Sequence, residues 1–231
     1  VGLSFILSAA IVLVACRKSS FDNNSNQQAA GLMAFNLAPG KAAVVKIGSN
    51  TLPGSPLAFN SYTGGYLPIY PGNRVVESID YASGASLASV SGSFAVGKYY
   101  SVFLVGTGNS FQNVLSQDNF DSLSAGSGQS YIRYINAIPG STSPTVTINS
   151  NGTSVVSTAA PFAGLSGFIP VTPGALDISV NEGTTFHIAR TISTEAKRVY
   201  TILLIPGATS SDTAQIRFVL NGTLDNNSAG Q

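Results

Sequence analysis

The sequence predicts an all-β protein: two tandem antiparallel β-sandwich domains, immunoglobulin-like with Greek-key character, following a signal peptide and a flexible tether. Three observations carry this reading. Short segments alternate apolar and polar residues with period two and are closed off by turn residues roughly every eight to twelve positions. No window of about eleven residues carries a helical apolar stripe. Blocks of sequence also recur at an interval of about one hundred residues, which means two domains rather than a short-repeat solenoid.

The length of 231 residues suffices for two domains of roughly 100 residues, each with its own core. Hydrophobic residues make up 44% and charged residues 9%, against a charged share of about 25% in typical domains. The surface must therefore be built from Ser, Thr, Asn, Gln and Gly. Plentiful β-branched and aromatic residues argue against disorder. A formal net charge of +1 supplies no basic field, so no nucleic-acid partner is expected.

Residues 2–15 are apolar and uncharged. They are too short for the ~20 residues of a membrane-spanning helix and fit the apolar core of a secretory signal, placed at 1–15. The start at Val1, with neither methionine nor a basic segment, reads as a truncated reading frame. A single cysteine makes no internal disulfide, and with one histidine it makes no zinc site of the usual type. Leu13, Val14, Ala15 and Cys16, standing at the end of the apolar run, resemble the lipobox of bacterial lipoproteins. There a dedicated peptidase cleaves before the cysteine, and its sulfur carries a diacylglyceryl group. The resemblance implies that Cys16 is the first residue of the mature chain and its attachment to membrane lipid. The competing reading, a small buried thiol in an N-terminal helix, is weaker because the polar residues after Cys16 offer nothing to bury it against. Buried acyl chains contribute ~0.8 kcal/mol per methylene, so more than one chain makes attachment stable. Arg17 and Lys18 would each add about 1 kcal/mol near anionic lipid. Residues 16–30, with the lipidated cysteine at their head, form an aperiodic polar tether with a reach on the order of 45 to 50 Å.

The repeat comes next. "LMAFNLAPG" at 32–40 matches "IRYINAIPG" at 132–140, with Asn36 over Asn136. "GYLPIYPG" at 65–72 matches "GFIPVTPG" at 167–174, with Pro68 over Pro170. "KYYSVFLVG" at 98–106 matches "RVYTILLIPG" at 198–207, with Tyr99 over Tyr200. The repeats are placed at 31–108 and 130–224, each with about seven strands. Between them, 109–129 reads as a connector with one strand around residues 111–115, and 225–231 as a tail. In the second repeat, "TVTINSNGTSVVS" reads as a hairpin: Val146 and Ile148 alternate before Asn151-Gly152, which supplies the positive φ angles of a type I′ turn. "ALDISVN" puts Leu176, Ile178 and Val180 on one face, Asp177 and Ser179 on the other. Pro68 and Pro170 lie inside apolar runs, which marks those runs as edge strands or bulges.

These blocks resemble the bacterial family catalogued as domain of unknown function 4397, whose tandem copies open with a strand and turn of the form xxRxxNAxPG. "YIRYINAIPG" at 131–140 follows that pattern closely; "GLMAFNLAPG" at 31–40 has Met33 or Ala34 in the neighbourhood of the arginine. The resemblance spans most of 31–224. It implies an extracytoplasmic β-sandwich and, in anchored members, a cell-envelope lipoprotein of the Bacteroidetes type, held at the outer membrane. It brings no catalytic or binding residues to carry over.

Candidate chemistry is sparse. His187, in "TTFHIAR", lies on an alternating strand near Glu182 and has no counterpart in the first repeat, so it reads as a surface or structural histidine rather than the base of a triad. Glu77 and Asp80 are the nearest candidates for a glycosidase pair, but three residues apart on one strand they face opposite ways, so solvated face residues are the simpler reading. "QDNFDS" offers Asp118 and Asp121 as a weak calcium candidate, with fewer oxygens than the six to eight calcium takes; an Asx turn is the simpler reading. Tyr62, Tyr66 and Tyr70, together with Tyr81 and Tyr100, concentrate in the first repeat and are the candidate glycan-binding positions, without tryptophan companions. Asn23, Asn151, Asn221 and Asn226 open N-x-S/T triplets that read as polar turns. The expected function is a non-catalytic cell-envelope lipoprotein without cofactor, a structural, adhesion or ligand-presenting module whose partner is a glycan or another envelope protein. The alternatives are a glycan-binding lipoprotein that assists polysaccharide capture and, further off, a hydrolase. Arg17-Lys18 after the anchor leaves both periplasmic and surface exposure open.

Overall fold

The computed structural model describes residues 29–124, 126, 128–207 and 214–224. The expected signal peptide at 1–15, Cys16, all but the end of the expected tether at 16–30 and the expected tail at 225–231 lie outside the described residues.

The chain is all-β, with four sheets forming two tandem domains. The first repeat holds β1 (Ala30–Asn36), β2 (Ala43–Ile47), β3 (Asn50–Thr51), β4 (Ser61–Tyr62), β5 (Leu67–Ile69), β6 (Gly72–Asp80), β7 (Ser86–Phe94), β8 (Tyr99–Thr107) and β9 (Ser110–Asp118). The second holds β10 (Ser130–Asn136), β11 (Thr145–Ser150), β12 (Thr153–Ala159), β13 (Ile169–Val171), β14 (Gly174–Glu182), β15 (Phe186–Thr194), β16 (Arg198–Pro206) and β17 (Ala214–Thr223). Short strands of two or three residues raise the strand number above the expected seven per repeat. One sheet of the first repeat runs β4-β1-β8-β9 with β5 also on β1; the other runs β3-β2-β6-β7. The second repeat repeats the plan as β13-β10-β16-β17 and β12-β11-β14-β15. Most neighbours are antiparallel, but β1 pairs β8 in parallel and β10 pairs β16 likewise.

The predicted hairpin forms between β11 and β12, with Asn151 at φ 47° and Gly152 at φ 81°, the left-handed pair a type I′ turn requires. β14 buries Leu176, Ile178 and Val180 and exposes Asp177. Pro68 and Pro170 sit in β5 and β13, short strands each paired to a single neighbour, opposite Gly31 and Tyr131. An imide nitrogen costs no ladder bond there.

Two expectations change. The span 109–129 is not simply a connector: β9 occupies its first half and pairs along the whole of β8, so the first repeat continues to Asp118. Tyr99 is not the counterpart of Tyr200. In the parallel pairs Leu32 stands opposite Tyr100 and Ile132 opposite Tyr200, and each of these tyrosine hydroxyls accepts from a backbone N–H five residues upstream, Ala95 or Glu195.

The four sheets stack in layers, and the two central sheets, built on β1–β8 and β10–β16, are buried on both faces. Leu32, Ala34 and Val102 point into their own sandwich, against Val45, Ile47 and Val76. Met33, Phe35, Phe103 and Val105 point the other way and meet Ile135, Leu203 and Ile205 of the second repeat. This explains why "SVFLV" and "TILLI" do not alternate: a strand covered on both sides reads as a continuous apolar run. Each fully buried Phe, Leu or Ile is worth about 1.5–3 kcal/mol, so this seam welds the repeats into one body.

Asn36 and Asn136 explain the shared "Asn-x-x-Pro-Gly" turn. Both are fully buried. Asn36 Nδ2 donates to the carbonyls of Lys41 and Leu57 while Oδ1 accepts from Ala38 N–H. Asn136 Nδ2 donates to Ser141 Oγ and the Ala160 carbonyl, and Oδ1 accepts from Ile138 N–H. Gly40 and Gly140 complete the turns at φ 71° and 78°, where a side chain would be strained.

Candidate functional site

The seam between the repeats carries a buried polar cluster. Arg133 projects from β10 and is 1% exposed. Its Nη1 donates to Asp118 Oδ1, Nη2 to Asp118 Oδ2 at 3.2 Å and to Ser101 Oγ at 2.8 Å, and Nε to Thr201 Oγ1 at 2.9 Å. The guanidinium also lies over the Phe168 ring at 4.5 Å and near Phe103 at 5.5 Å. Both are cation–π distances. Asp118 Oδ2 accepts further bonds from Ser101 Oγ and from the hydroxyl of Tyr66. Thr201 donates to Asn221 Oδ1, and Asn221 Nδ2 donates to the Tyr66 hydroxyl at 3.1 Å. The bidentate fork and the extra donors satisfy a pair that desolvation would otherwise make costly. Burial, then the negative charge of Asp118, hold the Tyr66 phenol well above its usual pKa.

Beside this cluster a groove of about 530 Å³ opens at the seam, lined among others by Tyr62, Tyr66, Tyr99, Lys98, Arg198 and Asn221. Tyr62 is held by stacking on Phe35, ring centroids 5.4 Å apart and 16° between planes. Gly31 allows Tyr99 to lie against β1: a Cβ there would come within 2.6 Å of the ring. Lys98 pairs with Asp121, and Arg198 with Glu195 at 3.3 Å and Thr223 Oγ1 at 3.0 Å.

The structure brings only part of the candidate tyrosine set together. Tyr62 and Tyr66 line the groove, but the Tyr66 hydroxyl is engaged inside the seam. Tyr70 is 70% exposed and does not line it. Tyr81 is exposed elsewhere, and Tyr100 belongs to the core. Asp118 and Asp121 are separated as well: the first turns inward to Arg133, the second outward to Lys98. They form no shared ligand set, and among the described residues no group of three His, Cys, Asp or Glu side chains gathers around one point. Asp80 is taken by Lys41 at 2.8 Å, which with the Ala82 N–H and the Ser83 hydroxyl lowers its carboxyl pKa. Glu182 ends β14 and accepts from the Thr142 hydroxyl and N–H, both at 2.6 Å, which lowers its pKa too. His187 is exposed on β15, in register with Asn181. Asn151 does sit in a turn, whereas Asn221 is buried at the seam, at an irregularity in β17; Asn23 and Asn226 lie outside the described residues.

Sequence reasoning passed over Arg133 and Asp118 as partners. The available signal was a lone cation inside the apolar run "YIRYIN", a position whose neighbours are all destined for burial.

A family described as "Domain of unknown function (DUF4397)" matches the chain twice, over residues 30–140 and 130–231. No curated protein matches the chain.

Proposed function

The chain belongs to the DUF4397 family through two tandem copies, and from that premise we propose that it is a non-catalytic envelope lipoprotein of the Bacteroidetes type, held to the outer membrane through Cys16. Its welded pair of sandwiches acts as a rigid presenting module. The observation that carries this reading is the seam: the buried charge pair of Arg133 with Asp118 joins one repeat to the other. Support for anchoring comes from Leu13, Val14, Ala15 and Cys16 closing an apolar run. The polar residues that follow lead to Ala29, whose carbonyl accepts from Gly97 N–H at the head of the first domain. Palmitate labelling of the full precursor tests it: label is expected on the wild type and none on Cys16→Ala, and label that survives the substitution overturns anchoring.

A second reading, glycan capture, is favoured by the seam groove, where Tyr62 and Tyr99 stand in a concave site at a domain interface, the usual setting of small-ligand pockets.

A further inference from the structure

We infer that the seam groove takes an acidic oligosaccharide, one whose sugar rings carry carboxylates; this rests on the glycan-capture reading and adds the charge of the ligand. The groove is the size of small-molecule sites, ~300–1,000 Å³. Among the described residues its charged lining side chains are Lys98 and Arg198, both cationic. They occupy equivalent places in the two repeats, Lys98 just before β8 and Arg198 at the start of β16. The pseudo-symmetry thus delivers one cation from each repeat to the same cavity.

Both cations already have carboxylate partners, Asp121 and Glu195, but these are 73% and 71% exposed. Solvent-exposed pairs contribute little, so a ligand carboxylate that gains a charge-assisted fork on Arg198 can replace them. Tyr62 lines the same groove, and an aromatic ring suits the C–H face of a sugar. Tyr62 has one face committed to Phe35, which fixes the ring in advance of binding and lowers the entropy of capture. A neutral glycan would use the Tyr62 ring; only an acidic one also uses the two cations.

The test is calorimetric titration of the detergent-solubilised full chain with tetragalacturonate and, separately, with maltotetraose, using wild type, Lys98→Gln, Arg198→Gln and Tyr62→Ala. Thermal unfolding of each variant serves as the folding control. The expected result is binding of tetragalacturonate at least about tenfold tighter than maltotetraose, weakened about tenfold by either cation substitution and by added salt. Equal binding of both sugars, lost in Tyr62→Ala but unchanged in Lys98→Gln and Arg198→Gln, overturns the acidic preference and leaves glycan capture standing. Tetragalacturonate binding that survives both cation variants also overturns it, because the sugar then sits elsewhere. Absence of binding to either sugar overturns the inference and the glycan reading together.

Discussion

At equivalent positions of the two repeats, Arg133 on β10 spends its guanidinium on Asp118, while Met33 on β1 meets the Asn221 amide with its sulfur at 4.0 Å. The hydroxyls in register with them, Thr201 and Ser101, play matching parts: each bonds the side chain near the end of the last strand of its own repeat, Asn221 or Asp118. The two halves of the seam therefore share a backbone plan and differ in charge. The second repeat supplies the cation and the first supplies the anion. A buried pair gains little over apolar side chains of similar volume, because desolvation offsets its attraction. What it supplies is discrimination. Two first repeats face to face would bury two carboxylates without an arginine, and two second repeats would bury two arginines without a carboxylate. Duplication has left complementary partners rather than interchangeable copies.

The largest expected effect breaks this asymmetry from one side. Arg133→Met or Asp118→Asn alone leaves the opposite charge buried without its partner, and urea unfolding should show each losing about 3–5 kcal/mol. A loss below 1 kcal/mol would mean that water reaches the seam. Where the repeats are alike, the effects should be alike. Asn36→Ala and Asn136→Ala each orphan buried backbone groups in the turn after the first strand, and should each cost about 1–3 kcal/mol. Thermal melts in which only one of them mattered would break the equivalence of the turns. The smallest effect belongs to Tyr66→Phe, about 1 kcal/mol at neutral pH for the lost hydrogen bonds. At alkaline pH the phenol adds a sign. Its folded pKa is raised by burial and by Asp118, so its contribution is complete below the unfolded value near 10 and is lost as pH rises toward the folded value. The stability of wild type should fall more steeply than that of Tyr66→Phe when melting is followed from pH 8 to 12.

Much of the outer architecture was legible. β14 alternates because one of its faces meets water, the Asn151-Gly152 turn demands positive φ, and Pro68 and Pro170 can only sit where no ladder bond is needed. The central sheets hid their purpose. A strand buried on both faces loses its period, so "SVFLV" announces burial without saying that another domain does the covering. The adjacent Tyr99 and Tyr100 left the register open by one residue, and only the parallel pairing closed it. β9, "SFQNVLSQD", was half read because it is rich in polar residues, one of which, Asn113, is buried to bond Ser78 Oγ and the Val76 and Ala88 carbonyls. Asp118 looked like a calcium ligand beside Asp121 because its true partner belongs to the next domain. The groove was legible only through Tyr62 and Tyr66; Lys98 and Arg198 reach it because the seam brings the two repeats' strand starts together.

The most direct test of the welded, asymmetric seam is a double-mutant cycle. Arg133→Met with Asp118→Asn gives the charged half the same side-chain types as the Met33 and Asn221 half, and its urea unfolding is compared with that of the two single variants and wild type. A double variant within about 2 kcal/mol of wild type, beside single variants that lose more, is the predicted result. Losses that simply add would contradict it, since the two side chains would then not depend on one another.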